Sequence, residues 1–497
     1  MKKEKILNEK TLNIVLIILF VLLNIIIKSI YLGYHNVDLD EPTTILRAEA
    51  SFSDLITMLK IETNQPLFFI IMHFWIKLFG LGAISLRFLP MLFSSLAVIF
   101  VYLLGKKFSN IVVAAGASFL YSFSNINIFH AHDARVYGIF VFLACASMYC
   151  YFLMIDSENK RKYAIPLTII NILILYAHLC GVFILIIQAF YTLVISSVRK
   201  NIFKNYLLSS VITFFAFLPY IIFILPTFTN PVQQINDVVT KPTTNDLSGF
   251  LIGFSNNFNN YLWFVSIIVI FILVALITRK EISIYHKMIF GWFIIPYFLM
   301  FALSTKIHIN VIRFMIFITP AFYLSIIIAV YYFTRYKLIA VLLIITCVSF
   351  MITSVDLKAS YDLNVSEAVK IIRKNKTELT KVYIVPPWVS LAFSYHYNLD
   401  ILKDYKNIEK RLNNEQIFLI KSVTEIDTSS LKYVENVLLL DGWDNLKALD
   451  PQHKIYRTLL KNLKTVDTVA NVTGYVVYNF GFKRTVKEKF NVNQPKK

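Results

Sequence analysis

From Thr11 to Tyr31 the chain is apolar except for scattered polar positions and one charge, Lys28. That length matches the hydrocarbon thickness that a single helix must cross, about 20 residues. Runs of similar character recur at 83–104, 111–128, 136–154, 162–177, 180–198, 206–226, 261–278, 286–304, 311–333 and 337–354. The pattern predicts about eleven membrane-spanning helices, because a helix satisfies its own backbone groups in lipid. The run Pro66 to Phe79 is also apolar, but it is short and carries His73 and Lys77. It reads as an interfacial or re-entrant helix that does not cross.

Basic residues mark the ends of these runs. Lys2, Lys3, Lys5 and Lys10 precede the first, and Lys106-Lys107, Lys160-Arg161-Lys162, Arg199 with Lys200 and Lys204, Arg279-Lys280, and Arg335 with Lys337 follow later ones. With an uncrossed 66–79 segment, all of these clusters fall on one side. The positive-inside rule makes that side cytoplasmic, so the N-terminus is predicted inside. The outer side then receives the loop 34–66, the segment around Asp133, the loop 227–260, the turn from Ser304 to Asn310, and everything after Val355.

Beyond Val355 the pattern changes. Ser366 to Asn375 has helical spacing, and Lys381–Val385, Gln416–Ile420, Asn436–Leu440 and Tyr475–Tyr478 are apolar runs of strand length. Helical pieces at 404–412 and 452–462 fall between them. The expected fold is therefore an α-helical polytopic membrane domain over 1–355, with its first outer loop at 34–66, and a small extracytoplasmic α/β domain over 356–497.

Composition agrees: 57% of the 497 residues are hydrophobic, 16% are charged, and the mean hydropathy is +0.63. Soluble domains run nearer 25% charged. A net charge of +19 would suit a nucleic-acid partner, but the placement of the cations as orientation signals excludes that role for the membrane part. Cys145, Cys150, Cys180 and Cys347 lie inside apolar runs without metal-ligand spacing and read as small hydrophobes. The first apolar run is long enough to span and lacks a small-residue cleavage pattern, so no removed signal peptide is expected.

Chemistry gathers on the predicted outer side. The first loop carries Asp38, Asp40 and Glu41 within four residues and ends at Asn64-Gln65-Pro66. Acids at a membrane boundary are costly unless they are solvated, paired or used. On the same side fall His130, His132, Asp133 and Arg135, then His178, and then Lys306, His308 and Arg313. Carboxylates can take a proton from a hydroxyl, and arginines can hold a phosphate bidentately and stabilise its charge as it departs. A site open to the bilayer suits a substrate whose tail stays in lipid. Together these point to sugar transfer from a lipid-linked phosphate to an acceptor hydroxyl, by one inverting displacement from a leaving group that needs no proton.

These residues carry a resemblance. Asp40-Glu41 after the first helix resembles the Asp-Glu motif of the protein O-mannosyltransferases (glycosyltransferase family 39) and the aminoarabinose transferases, which are membrane-embedded GT-C glycosyltransferases. Asn64-Gln65-Pro66-Leu67-Phe68-Phe69, Lys77-Leu78-Phe79-Gly80 and Arg87-Phe88-Leu89-Pro90 are similar to their His-Pro-Pro-Leu-Tyr-Tyr, Lys-Leu-Phe-Gly and Arg-Leu-Pro run. His132-Asp133-Ala134-Arg135-Val136-Tyr137 resembles Gln-Glu-Ala-Arg-Met-Tyr. Tyr176-Ala177-His178 with Gly181 resembles a Thr-His-Tyr-x-Gly element, and Arg313-Phe314 before Pro320 an Arg-Tyr…Pro element. The match extends over about 11–335 in the expected order.

The resemblance implies a polyprenyl-phosphate sugar donor, Asp40 as base with Glu41 in support, and Arg135 as an ion-pair or phosphate partner. Arg313 and Lys306 are further candidates for the donor phosphate. Asp133, His132, His178, Gln65 and Asp38 are candidates for support or substrate contact. Gln65 stands where the family has histidine, and Asp133 where it has glutamate. The first keeps hydrogen bonding but loses a ligand or base, and the second shortens reach by one methylene. Some relatives bind a divalent metal; the acids and histidines here permit one without requiring it. The expected partners are membrane lipids, the lipid-linked donor and an acceptor protein, lipid or glycan, with the site on the outer face of a bacterial cytoplasmic membrane. The rival reading is a transporter or flippase of a lipid-linked glycan, which would also line a helix bundle with polar groups.

Overall fold

A computed structural model describes residues 2–482 apart from 39, 62–63, 229–242, 279–281, 307–308, 310, 359–362 and 443–448. His308 and much of the loop 227–260 thus lie outside the described residues. Packing divides the chain into two units, Met1–Tyr34 with Ser51–Ser360, and His35–Ala50 with Tyr361–Lys497.

The first unit is helical. Helix α1 (Lys2–Ser29) leads to α2 (Glu41–Glu49), which belongs to the second unit. Then follow α3 (Phe52–Ile61), α4 (Pro66–Phe79), α5 (Ala83–Phe108), α6 (Ile111–Ser122), α7 (Asn125–Phe129), α8 (Tyr137–Asp156), α9 (Lys160–Ala177), α10 (Val182–Val194) and α11 (Ser196–Phe228). Helices α12 (Thr244–Phe254), α13 (Phe258–Thr278), α14 (Ile284–Ser304), α15 (Thr319–Phe333) and α16 (Lys337–Thr353) complete it. Among the described residues, six helices are long and apolar enough to cross a membrane, or seven if the bent pair α12–α13 counts as one span. Four shorter apolar helices, α4 and α6 among them, accompany these. The chain is accordingly a multi-pass membrane protein, in which several of the expected spans are shortened or broken.

The breaks have local causes. The run 111–128 divides at Phe123–Ser124, where the Ser124 hydroxyl accepts from Asn127 and caps a new helix. The backbone freed there is satisfied from a second break: Asn256, with φ +68°, sits between α12 and α13, which bend by 96°. Its side-chain amide donates to the Phe123 carbonyl at 2.8 Å and accepts from the Asn125 N–H at 2.8 Å. Two interrupted helices thus satisfy each other, which is the condition for irregular backbone at membrane depth.

Several polar side chains inside the bundle are likewise partnered. Ser147, Asn171 and Gln188 form a closed ring of hydrogen bonds, 2.5–3.0 Å long, that ties α8, α9 and α10. Lys28, fully buried, donates to the Ser94 carbonyl and hydroxyl at 3.1 and 2.9 Å and lies over the Tyr121 ring. Helices α5 and α8 cross where Gly138 meets Pro90; a Cβ on Gly138 would stand 2.0 Å from the Pro90 carbonyl oxygen. Such small-residue contacts let membrane helices approach closely. At one end of the bundle Lys106 pairs with Glu9 at 2.7 Å, Lys107 pairs with Asp156 at 2.6 Å, and Tyr285 also bonds Asp156.

The second unit is an α/β layer structure. Its strands are β1 (Thr380–Val385), β2 (Ile417–Leu419), β3 (Asn436–Gly442), β4 (Thr465–Val472) and β5 (Tyr475–Gly481), in the order β2-β1-β3-β5-β4. Strand β1 runs parallel to β2 and β3, and β5 is antiparallel to β3 and β4. Helices α17 (Val365–Asn375), α18 (Ser390–Tyr397), α19 (Leu399–Lys403) and α20 (Ile408–Asn414) pack on one face through Val369, Phe393 and Leu412. Helix α21 (Lys454–Leu463) covers the other through Ile455, Leu459 and Leu463. Four of the strands match the expected runs. The fifth, β4, does not, because its sequence Thr-Val-Asp-Thr-Val-Ala-Asn-Val is half polar and occupies a sheet edge. The segment His35–Ala50 packs with this unit, so the expected boundary at 355 misplaces the part of the first outer loop that holds the acids.

Candidate active site

In the first unit the site grows from the turn between α7 and α8. Helix α7 ends at Phe129, and a series of tight turns carries His130 to Arg135 into the start of α8. His130 Nδ1 lies 4.0 Å from a carboxylate oxygen of Asp133. Burial nevertheless pulls the His130 pKa below its ordinary value; Asp133 opposes this and Arg313 adds to it. The ring packs against Tyr137, with centroids 4.8 Å apart.

His178 joins from the turn after α9. It stacks on Phe140 at 4.7 Å and meets the edge of Phe314 at 5.1 Å. Its Nδ1 accepts from the Cys180 N–H at 3.1 Å, which fixes the proton on Nε2 and requires the neutral ring. Burial first, and then the positive charges of Arg135 and Arg313, push its pKa down to about 3. Arg313 comes from a 3₁₀ turn (Ile312–Ile318) that precedes α15, and its guanidinium lies over the Phe314 ring. His130, Asp133, Arg135, Tyr137, His178 and Arg313 thus act on one another. The group holds two cations and one carboxylate beside two histidines that burial keeps neutral.

Other candidates from the sequence sit elsewhere. The Nε2–H of His132 donates to the Lys28 carbonyl at 2.8 Å, so this ring fastens α1 to the α7–α8 turn. Gln65 is buried at the start of α4, where Tyr220 of α11 donates to the neighbouring Asn64 carbonyl at 3.2 Å. Lys306 is exposed beyond the end of α14.

The acids belong to the second unit. Asp38 is buried, and both its oxygens lie within hydrogen-bond distance of the Tyr475 hydroxyl, at 2.8 and 2.9 Å. Its carbonyl accepts from the Glu41 N–H at 3.1 Å, closing a turn around Asp40. Asp40 is half-buried at the N-cap of α2, and Glu41 is buried in its first turn, where the helix dipole favours negative charge. Sequence reasoning passes over both tyrosines at these positions: Tyr137 lies inside a motif read for its charges, and no local signal marks Tyr475. Among the described residues no group of three or more His, Cys, Asp or Glu side chains could hold a metal ion.

No family model matches the chain, and no curated protein matches it in sequence. Solved structures do match in fold. The aminoarabinose transferase ArnT from Cupriavidus metallidurans, bound to undecaprenyl phosphate, superposes with a TM-score of 0.58 at 12% identity, over 93% of this chain and 97% of that one. The oligosaccharyltransferase AglB from Archaeoglobus fulgidus, with an inhibitory peptide and a dolichol-phosphate, gives 0.57 at 11% identity, over 91% of this chain and 71% of that one. A complex of the Archaeoglobus fulgidus oligosaccharyltransferase with Zn and sulfate gives 0.54 at 13% identity, over 90% and 69%. The chain has the fold of the GT-C glycosyltransferases.

Proposed function

We propose that this protein transfers a sugar from a polyprenyl-phosphate-linked donor to an acceptor hydroxyl, at the outer face of a bacterial cytoplasmic membrane. The observation that carries the reading is that Arg135 and Arg313 both lie close enough to one buried histidine, itself among aromatic rings, for their charges to disfavour its protonation. Two arginines near one buried position would suit a phosphate. The fold supports the same reading, since ArnT and AglB structures hold undecaprenyl phosphate and dolichol-phosphate.

In this reading Asp40 takes the proton from the acceptor O–H. The oxygen attacks the anomeric carbon as the bond to phosphate breaks, and the configuration inverts. The leaving phosphate gains charge as that bond breaks, so arginine stabilisation acts most strongly in the transition state. Glu41 supports Asp40 from the first turn of α2. The acceptor is a protein, lipid or envelope glycan carrying a free hydroxyl. The test is accumulation: cells lacking the protein should build up one polyprenyl-phosphate sugar, and membranes containing it should consume that species. Movement of the intact lipid-linked sugar across the bilayer without consumption would instead establish a flippase.

A further inference from the structure

Three residues shortly before the Asp40–Glu41 pair, Asn36, Val37 and Asp38, are each fastened to the domain formed by the last part of the chain. The Asn36 side-chain amide donates to the Asn364 side chain at 3.0 Å and to the Leu363 carbonyl at 3.2 Å. The Val37 carbonyl accepts from His396 Nε2 at 3.0 Å, and burial lowers the His396 pKa, which favours the neutral ring. Asp38 takes the Tyr475 hydroxyl between its two oxygens. Burial and the Asp38 charge push the Tyr475 pKa well above its usual value, so the phenol keeps the proton it donates. Helix α2, which Asp40 and Glu41 begin, packs against α18 and α19 of the same domain.

The Asp38 end of this fastening is the strongest. A phenol donating to a carboxylate is a charge-assisted hydrogen bond, roughly twice as strong as a neutral one. Both partners are almost wholly buried, Tyr475 at 2% and Asp38 at 7% exposure. Tyr475 itself is held rigidly. It opens β5 opposite Gly442, directly after Gly474, whose φ of +82° makes the hairpin turn. The Asn364 N–H donates to the Thr473 carbonyl at 3.0 Å, which locks the hairpin to the helix that meets Asn36. Asp38 in turn closes the backbone turn that sets Asp40.

We infer that Tyr475 is a positioning residue for the acidic turn: it holds Asp38, and through Asp38 it sets the backbone from which Asp40 and Glu41 project. Asp38 is then an anchor and not a base. The C-terminal domain has a role beyond substrate contact, because it supplies the frame on which the acids are set. This inference rests on the transferase reading for its kinetic consequence but not for its structural one. A misplacement of about 1 Å in a reacting group can cost about a hundredfold in rate.

The test uses the full-length protein in detergent and in proteoliposomes, with Tyr475→Phe, Asp38→Asn and the double variant. Hydrogen exchange is read first. Tyr475→Phe should speed exchange of the amides over 38–49 while leaving β1 and β3 protected. Unchanged exchange over 38–49 would overturn the inference, and it needs no substrate. Kinetics are then read with undecaprenyl-phosphate mannose and undecaprenyl-phosphate aminoarabinose as probes. Tyr475→Phe should lower kcat about tenfold or more with little change in donor KM. Asp38→Asn keeps an oxygen that accepts from the phenol and should retain more turnover than Tyr475→Phe. If Asp38→Asn abolishes turnover while Tyr475→Phe leaves it intact, Asp38 is the base and the positioning role is wrong. If the wild type transfers neither sugar yet Tyr475→Phe loosens 38–49, positioning stands and the transferase reading loses support.

Discussion

The guanidinium carbon of Arg313 lies 5.9 Å from the centre of the Tyr137 ring, and that ring also faces His130 and His178. Tyr137 therefore connects the groups contributed by three separate turns. A lysine at 313 would keep the charge but lose the planar fork and its stacking. Arg313→Lys is expected to lower kcat by about tenfold, with a smaller change in donor affinity, because phosphate charge develops as the bond breaks. Separate measurement of turnover and lipid-donor binding checks this. An equal loss in both would move Arg313 from transition-state stabilisation to simple binding.

Asp40→Asn removes basicity and keeps size. Its turnover should fall by at least about a hundredfold while the unfolding temperature in detergent stays within error of the wild type. Near-normal turnover in this variant would transfer the base role to Glu41.

His178 sets a pH dependence. Its folded pKa of about 3 lies below the ordinary 6.5, so between these values the unfolded chain binds more protons than the folded one. Stability from this group is therefore fully present above about pH 6.5 and is lost as pH falls toward 3. His178→Gln, which still offers an acceptor to the Cys180 N–H, should flatten the drop in unfolding temperature between pH 7 and pH 5. An unchanged slope would show that the ring is solvated.

Gly138→Ala should destabilise the α5–α8 crossing by about 1–3 kcal/mol, the range for overpacked sites. The added methyl would meet the Pro90 carbonyl, a backbone atom that cannot rotate away. A thermal-shift series including Gly249→Ala, where a Cβ meets nothing within 4 Å, gives the control.

Orientation is open to labelling. A cysteine at exposed Thr428 should react with an impermeant reagent added outside intact cells, and one at exposed Glu158 should not. Glu158 is preferred to its neighbour because the Asn159 side chain caps α9. Labelling at both positions would overturn the expected sidedness.

Much of this architecture is legible in the chain. Apolar runs give the helices, and short apolar runs of strand length give β1, β2, β3 and β5. Other features are not, for definable reasons. The break at Ser124 is marked locally only by Ser122, Ser124, Asn125 and Asn127 inside an apolar run, and Asn256, which satisfies the freed backbone, lies far along the sequence. His132 reads as a site residue by its charged neighbours, but its ring is turned to the Lys28 carbonyl, which only three-dimensional packing decides. The proximity of His130, His178 and Arg313 is legible because all three fall at predicted helix ends on the same side. Asp38 reads only as a supporting acid beside Asp40 and Glu41 until the phenol that occupies it is located, 437 positions away.

That separation also has a meaning in time. The ribosome adds about 5–20 residues per second, so roughly 20–90 s pass between the synthesis of Asp38 and that of Tyr475. During that interval the acids of the first loop exist without their phenol anchor, while helix after helix is being inserted. A nascent chain halted before β5 would carry the whole helical bundle and still lack a fixed acidic turn. Synthesis of β5, rather than completion of membrane insertion, is then the event that sets the acidic turn.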